Sequence, residues 1–132
     1  MLLYSCTELE APFPIDSSGL TVFQDGQYID DQFIHEQYLL IEENEKRILI
    51  SGCSHKGIVN IASYFNPDVL VGGFHLNKQE NEETLAEIAD LLLQGKTNYY
   101  TGHCTGSKQY DYLKHILADR LQNLSTGLVI EA

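Results

Sequence analysis

A chain of 132 residues that is 43% hydrophobic and 10% aromatic can bury a core without disulfide or metal staples, and it lies outside the composition range of disordered chains. Nineteen acidic residues against eight basic ones give a formal charge of −11 with no basic cluster, which argues against nucleic-acid backbones and anionic membranes as partners. Three cysteines, Cys6, Cys53 and Cys104, are an odd number without CxxC or zinc-ribbon spacing. The start lacks a basic leader and is broken by Glu8, Glu10, Pro12 and Pro14, and no apolar run approaches the ~20 residues of a membrane span. The expectation is a soluble, cytoplasmic protein folding as a single domain over residues 1–132.

From Met1 to Gln37, the prolines, the turn signals Ser17-Ser18-Gly19 and Asp25-Gly26, and scattered aromatics predict short strands and loops. Tyr38–Glu42 and Arg47–Ser51, joined by the polar run Glu43–Lys46, predict a β-hairpin. A strand–turn–helix unit then recurs. Ile48-Leu49-Ile50 leads through Gly52–Gly57 to Ile58, Ile61, Ala62 and Phe65, one face of a helix that Pro67 stops. Val69-Leu70-Val71 leads through Gly72-Gly73 to a helix on Leu85, Ile88, Ala89, Leu92 and Leu93, capped by Asn81 and ended at Gly95. Thr97–Thr101 leads through Gly102–Gly106 to a helix on Tyr110, Leu113, Leu117 and Leu121, with a last short strand at Leu128-Val129-Ile130. Such alternation predicts an α/β region over residues 38–132 with a largely parallel sheet, behind a β-rich lead-in of residues 1–37.

Each of the three units ends its strand in glycine and then histidine: Gly52-Cys53-Ser54-His55, Gly72-Gly73-Phe74-His75 and Gly102-His103-Cys104. Parallel strands with right-handed crossovers open all three turns on one carboxyl edge, so three imidazoles are expected to line one crevice. Imidazole is the commonest side-chain metal ligand, and a metal-bound water is a nucleophile near neutral pH. His35, in a loop, and His115, on a helix, do not share this placement and read as surface residues. Cys53 and Cys104 read as small packing residues along the crevice.

Ile48–Ile61 (ILISGCSHKGIVNI), Val71–Leu76 (VGGFHL) and Gly102–Gly106 (GHCTG) resemble, in order and spacing, the C-terminal half of metallo-β-lactamase-fold hydrolases. The nearest branch is that of the dihydropterin ribofuranosylaminobenzene phosphate synthases, and the stretch from Asp30 to Gln37 resembles the acidic segment that precedes GCSH there. The resemblance implies half of an αββα sandwich, a metal site with zinc, manganese or iron, and hydrolysis of a small-molecule ester, phosphodiester or lactam. It assigns His55 and His103 as metal ligands. His75, Cys53, Ser54, Cys104 and Thr105 are placed beside the substrate or behind the ligands. The family's His-x-His-x-Asp-His motif has no counterpart here, since no two of the five histidines stand closer than 12 positions. The reading is therefore a hydrolase fragment or half-domain with a partial metal site, inactive alone, whose partner is a missing N-terminal half or a second copy. The alternative is a non-catalytic α/β interaction module. Asp30, Asp31 and Glu36, directly ahead of the histidine strands, are the first carboxylates to consider for the missing ligands.

Overall fold

Turn chemistry shapes the front of the chain. The computed structural model describes residues 1–5, 9–16 and 19–131, so Cys6, Glu8 and the Ser17-Ser18 part of the first turn signal lie outside the described residues. Strand β1 (Leu2–Ser5) is followed by β2 (Thr21–Gln24) and β3 (Gln27–Asp30), which form their own two-stranded sheet. Asp25 and Gly26 between them both take positive φ, 50° and 83°, the backbone that a two-residue hairpin turn demands. The next hairpin is built alike: β4 (Gln37–Glu43) pairs antiparallel with β5 (Lys46–Ser51) around Asn44-Glu45, at φ 50° and 63°.

The chain then alternates. Helix α1 (Ile58–Phe65) ends in Asn66, whose left-handed backbone lets its N–H reach the Ala62 carbonyl at 2.9 Å, one residue before Pro67. After β6 (Val69–Val71), helix α2 (Glu82–Gln94) starts on Asn81, whose side chain accepts from Thr84 N–H at 3.0 Å. Strand β7 (Asn98–Thr101), helix α3 (Ser107–Leu117) and β8 (Leu121–Asn123) complete the order. The main sheet runs β1-β4-β5-β6-β7-β8, antiparallel up to β5 and parallel from β5 to β8.

Two expectations fail at the C-terminus. Leu121 does not continue the third helix, and residues 128–130 form no strand. The helix breaks at Ala118, at φ 50°, and a 3-10 turn follows, so Leu121 enters the sheet opposite Tyr99 and is fully buried. With Asn123 already opposite Thr101, residues 128–130 fall beyond the sheet, and Val129 is 81% exposed. The break also places Arg120, whose guanidinium donates to the carbonyls of Leu92, Leu93, Gly95 and Thr97 at 2.8–3.3 Å. Helix α2 has no basic residue in its own last turn, and Arg120 supplies the positive charge its free carbonyls favour.

The core lies on one face of the sheet. Tyr38, Leu40, Leu49, Leu70, Tyr99 and Leu121 point the same way and pack with Ile61 and Phe65 of α1, Ile88 and Leu92 of α2, and Leu113 and Leu117 of α3. The opposite face carries Leu39, Ile41, Ile48, Ile50, Val71 and Tyr100, and none of these belongs to that core. Among the described residues no helix is long and apolar enough to cross a membrane.

Replacing Arg120 with methionine keeps the aliphatic stem and removes every one of these hydrogen bonds. Hydrogen bonds from a charged donor are worth about 1.5–3 kcal/mol, and urea unfolding is expected to show a loss of that order. An unshifted midpoint would show that the α2 terminus does not need Arg120.

Candidate metal centre

Parallel pairing of β5, β6 and β7 brings their three exits to one edge, and backbone hydrogen bonds lace the exits together. Gly73 N–H donates to the Gly52 carbonyl at 2.8 Å, and Gly72 N–H to the Tyr100 carbonyl at 3.0 Å. The approach is too close for a side chain. A Cβ on Gly72 would sit 2.6 Å from the Ser51 carbonyl oxygen, and one on Gly73 would sit 2.5 Å from the Cys104 sulfur. Three residues leaving these strands, Ser54, His75 and His103, are held at positive φ (61°, 51° and 52°). Such conformations cost about 1–3 kcal/mol each and collect at functional sites.

Two of the three histidines meet. The rings of His55 and His75 lie 4.4 Å apart and nearly perpendicular, on the wall of a cavity of about 350 Å³ closed by Phe13, Ile15, Ile58, Phe74 and Ile88. Both ring nitrogens of His75 are buried without a hydrogen-bond partner among the described residues. Burial, and secondly the adjacent His55, hold His75 below the ordinary histidine value, so at neutral pH it is a neutral imidazole with a free lone pair. Buried polar atoms nearly always have a partner, so this ring is open to one from outside the described residues.

His103 stands apart from the pair. It is exposed and lines a second hollow with Gly102, Asp111 and Asn123. The four smaller residues assigned to the site join its loops. The Thr105 hydroxyl accepts from Phe74 N–H at 3.0 Å and meets Thr101 Oγ1 at 2.6 Å, while buried Ser54 shares a 2.7 Å hydrogen bond with Ser51. The Cys104 thiol donates to the Cys53 carbonyl at 3.6 Å and accepts from His75 N–H at 3.3 Å. Burial above all pushes that thiol up to about 11, so it stays protonated.

Of the three carboxylates considered, Asp30 is exposed at the end of β3, and Asp31 accepts from Phe33 N–H at 2.7 Å within its own turn. Glu36 is the one that reaches the site. It is buried, and its carboxylate accepts from Tyr38 Oη at 2.6 Å, His55 N–H at 2.7 Å and Lys56 N–H at 3.1 Å. One of its oxygens lies 3.5 Å from His55 Nδ1, and Phe33 stacks on the His55 ring at 4.6 Å.

The donor set fits two positions of a metal site and stops there. Among the described residues no three His, Cys, Asp or Glu side chains gather closely enough to hold an ion, whereas catalytic zinc takes three protein ligands and a water.

No family model matches the chain. It is 31% identical over 120 residues to the 7,8-dihydropterin-6-methyl-4-(β-D-ribofuranosyl)-aminobenzene-5'-phosphate synthase of Methanocaldococcus jannaschii, an alignment covering 86% of this chain and 41% of the synthase. An uncharacterized protein of the same organism is 31% identical over 97 residues, 70% of this chain and 36% of that protein. Among solved structures, a metal-dependent hydrolase of the beta-lactamase superfamily superposes with a TM-score of 0.74 at 27% identity, over 98% of this chain and 52% of that one. The chain spans about half the length, or less, of the proteins it matches. In sequence and in its six-stranded mixed sheet with three helices, the chain resembles part of a metallo-β-lactamase-fold hydrolase and has a fold of that type.

Proposed function

We propose that this chain is one half of a metal-dependent hydrolase, that it contributes part of the metal site, and that it has no turnover by itself. The observation that carries this reading is the His55–His75 pair: among the described residues, two half-buried imidazoles in contact, one of them with both ring nitrogens buried and unpartnered, and no third ligand within reach. Of the ions that the resemblance implies, zinc and iron suit imidazole, whereas manganese would need carboxylate ligands besides. Such an ion supplies an activated water, and the remaining ligands come from a polypeptide layer not present here. In this reading His103 becomes a ligand only if that layer draws it toward the pair. The mostly apolar cavity beside His55 and His75 takes the small-molecule substrate.

The second face of the sheet, half-buried at Leu39, Ile41, Ile48, Val71 and Tyr100 and exposed at Ile50, supports the same reading. Leu39, Ile41, Ile48, Ile50, Val71 and Tyr100 form an apolar surface that a second layer would bury, at about 25 cal/mol for each Å² removed from water. The layer is either the remainder of a longer polypeptide or a second copy. An interaction module without catalysis would use this same face, and what separates the two readings is the metal.

Two measurements test the proposal. Chain purified without added zinc should contain well under one ion per molecule, and zinc added afterwards should be removed by a weak chelator. One tightly held ion per chain, with a hydrolysis that His55→Ala abolishes, would overturn the incomplete-site reading. In sedimentation the isolated chain should self-associate through the bare face, and Ile50→Lys should return it to monomer. That substitution takes the net charge from −11 to about −10, so a loss of association does not come from greater overall repulsion between chains. A wild-type chain monomeric at high concentration would show that the face does not take a second copy.

A further inference from the structure

Glu36 stands in an unusual position for a carboxylate. It is 8% exposed, it carries no lysine or arginine partner among the ion pairs of the described residues, and its three hydrogen-bond donors are two backbone N–H groups and a tyrosine hydroxyl. Two of those donors are the backbone N–H groups of His55 and Lys56, in the turn that leaves β5. The turn from Asp31 to Glu36, closed by Phe33 N–H on the Asp31 carboxylate and by Glu36 N–H on the Phe33 carbonyl, delivers the side chain there. These contacts make Glu36 a poor metal ligand, because its oxygens are already engaged. They make it well suited to orienting the neighbouring imidazole.

We propose that Glu36 is a positioning residue that holds neutral His55 in the tautomer protonated at Nδ1, leaving the Nε2 lone pair for the site. A carboxylate oxygen 3.5 Å from Nδ1 in a buried setting stabilises an N–H there and repels a lone pair. Histidines that bind metals commonly have their second nitrogen engaged in this way by a carboxylate or carbonyl. Phe33, stacked at 21° to the ring plane, limits tilting of the ring. The gap of 3.5 Å is longer than a formed hydrogen bond and leaves room to close when the other nitrogen takes a partner. This inference builds on the reading of His55 as a metal-facing residue, but the tautomer exists without metal and is measured without it.

The test is a long-range proton–nitrogen correlation spectrum of the imidazoles in the full, metal-free chain at about pH 8, where an ordinary histidine with a pKa near 6.5 is neutral. Absence of one signal set in His55→Gln identifies His55. The expected pattern for the wild type is the Nδ1-protonated form in large excess. In Glu36→Leu no acceptor is left beside Nδ1, and the preference should be lost or reversed. Tyr38→Phe removes one donor but keeps the carboxylate, so the wild-type pattern should persist. A wild-type His55 protonated at Nε2, a Glu36→Leu variant still protonated at Nδ1, or a Tyr38→Phe variant that loses the preference would overturn the proposal. If Glu36→Leu does not fold, the other two spectra decide. A correct tautomer together with no binding of added zinc would sink the metal reading alone, and weak zinc binding with the wrong tautomer would sink only the role of Glu36.

Discussion

Parallel pairing of β5, β6 and β7 is the constraint from which the site follows. Because the strands run the same way with Leu49, Leu70 and Tyr99 abreast, each must be followed by a crossover, and all three crossovers leave from the same edge. The helices then fall on one face, where Ile61, Ile88 and Leu113 close the core. The histidine turns are neighbours as a consequence of sheet geometry, and the long sequence separation between His55 and His75 is the length of one strand–helix unit. A metal site assembled this way inherits its rigidity from buried ladders.

Rigidity at the edge itself has a second source. Glycines at 72 and 73 let the β6 exit lie against its neighbours, closer than any side chain permits, and Thr105 then locks that exit through Phe74 N–H. His75 is left in a left-handed backbone with no hydrogen-bond partner for its ring among the described residues. Backbone strain and an unsatisfied imidazole coincide at one residue, which is the combination expected where local stability has yielded to another requirement.

Much of this was legible in the sequence. The hairpin of β4 and β5, the apolar face of α1, the Asn81 cap and the three parallel strands follow from periodicity and turn residues, and the GCSH and GGFHL segments pointed to the pair that meets. The end of the chain was not legible. Leu121 continues a helical spacing from Leu117, and only the tertiary grip of Arg120 on the end of α2 shows why the helix stops earlier. Glu36 was visible as one of three acids and not as the chosen one. Its partners are two backbone N–H groups 19 and 20 residues away, and no sequence pattern encodes such a contact. His103 shares the strand–glycine–histidine pattern, yet its backbone turns it outward into a different hollow. Periodicity reports which end of a strand a residue occupies and not the direction in which its side chain leaves.

Strand β1 differs from the rest of the main sheet in how it is held. Among the described residues it pairs only with β4, at the margin; Leu2 and Leu3 remain 49% and 66% exposed, and Tyr4, edge-on to Phe65, is its apolar hold on the core. Local opening is cheapest where few apolar contacts are lost, and β1 is therefore the strand of the main sheet that opens at the lowest cost. Its departure bares the backbone of β4 over residues 37–40 and leaves that edge of the seven-residue strand open. An uncovered ladder of that length accepts any extended segment of matching register, including the β1 of another molecule. Exchange of this strand between copies would link chains at the sheet margin while leaving the histidine edge and the bare apolar face as they were, a route to association that owes nothing to either.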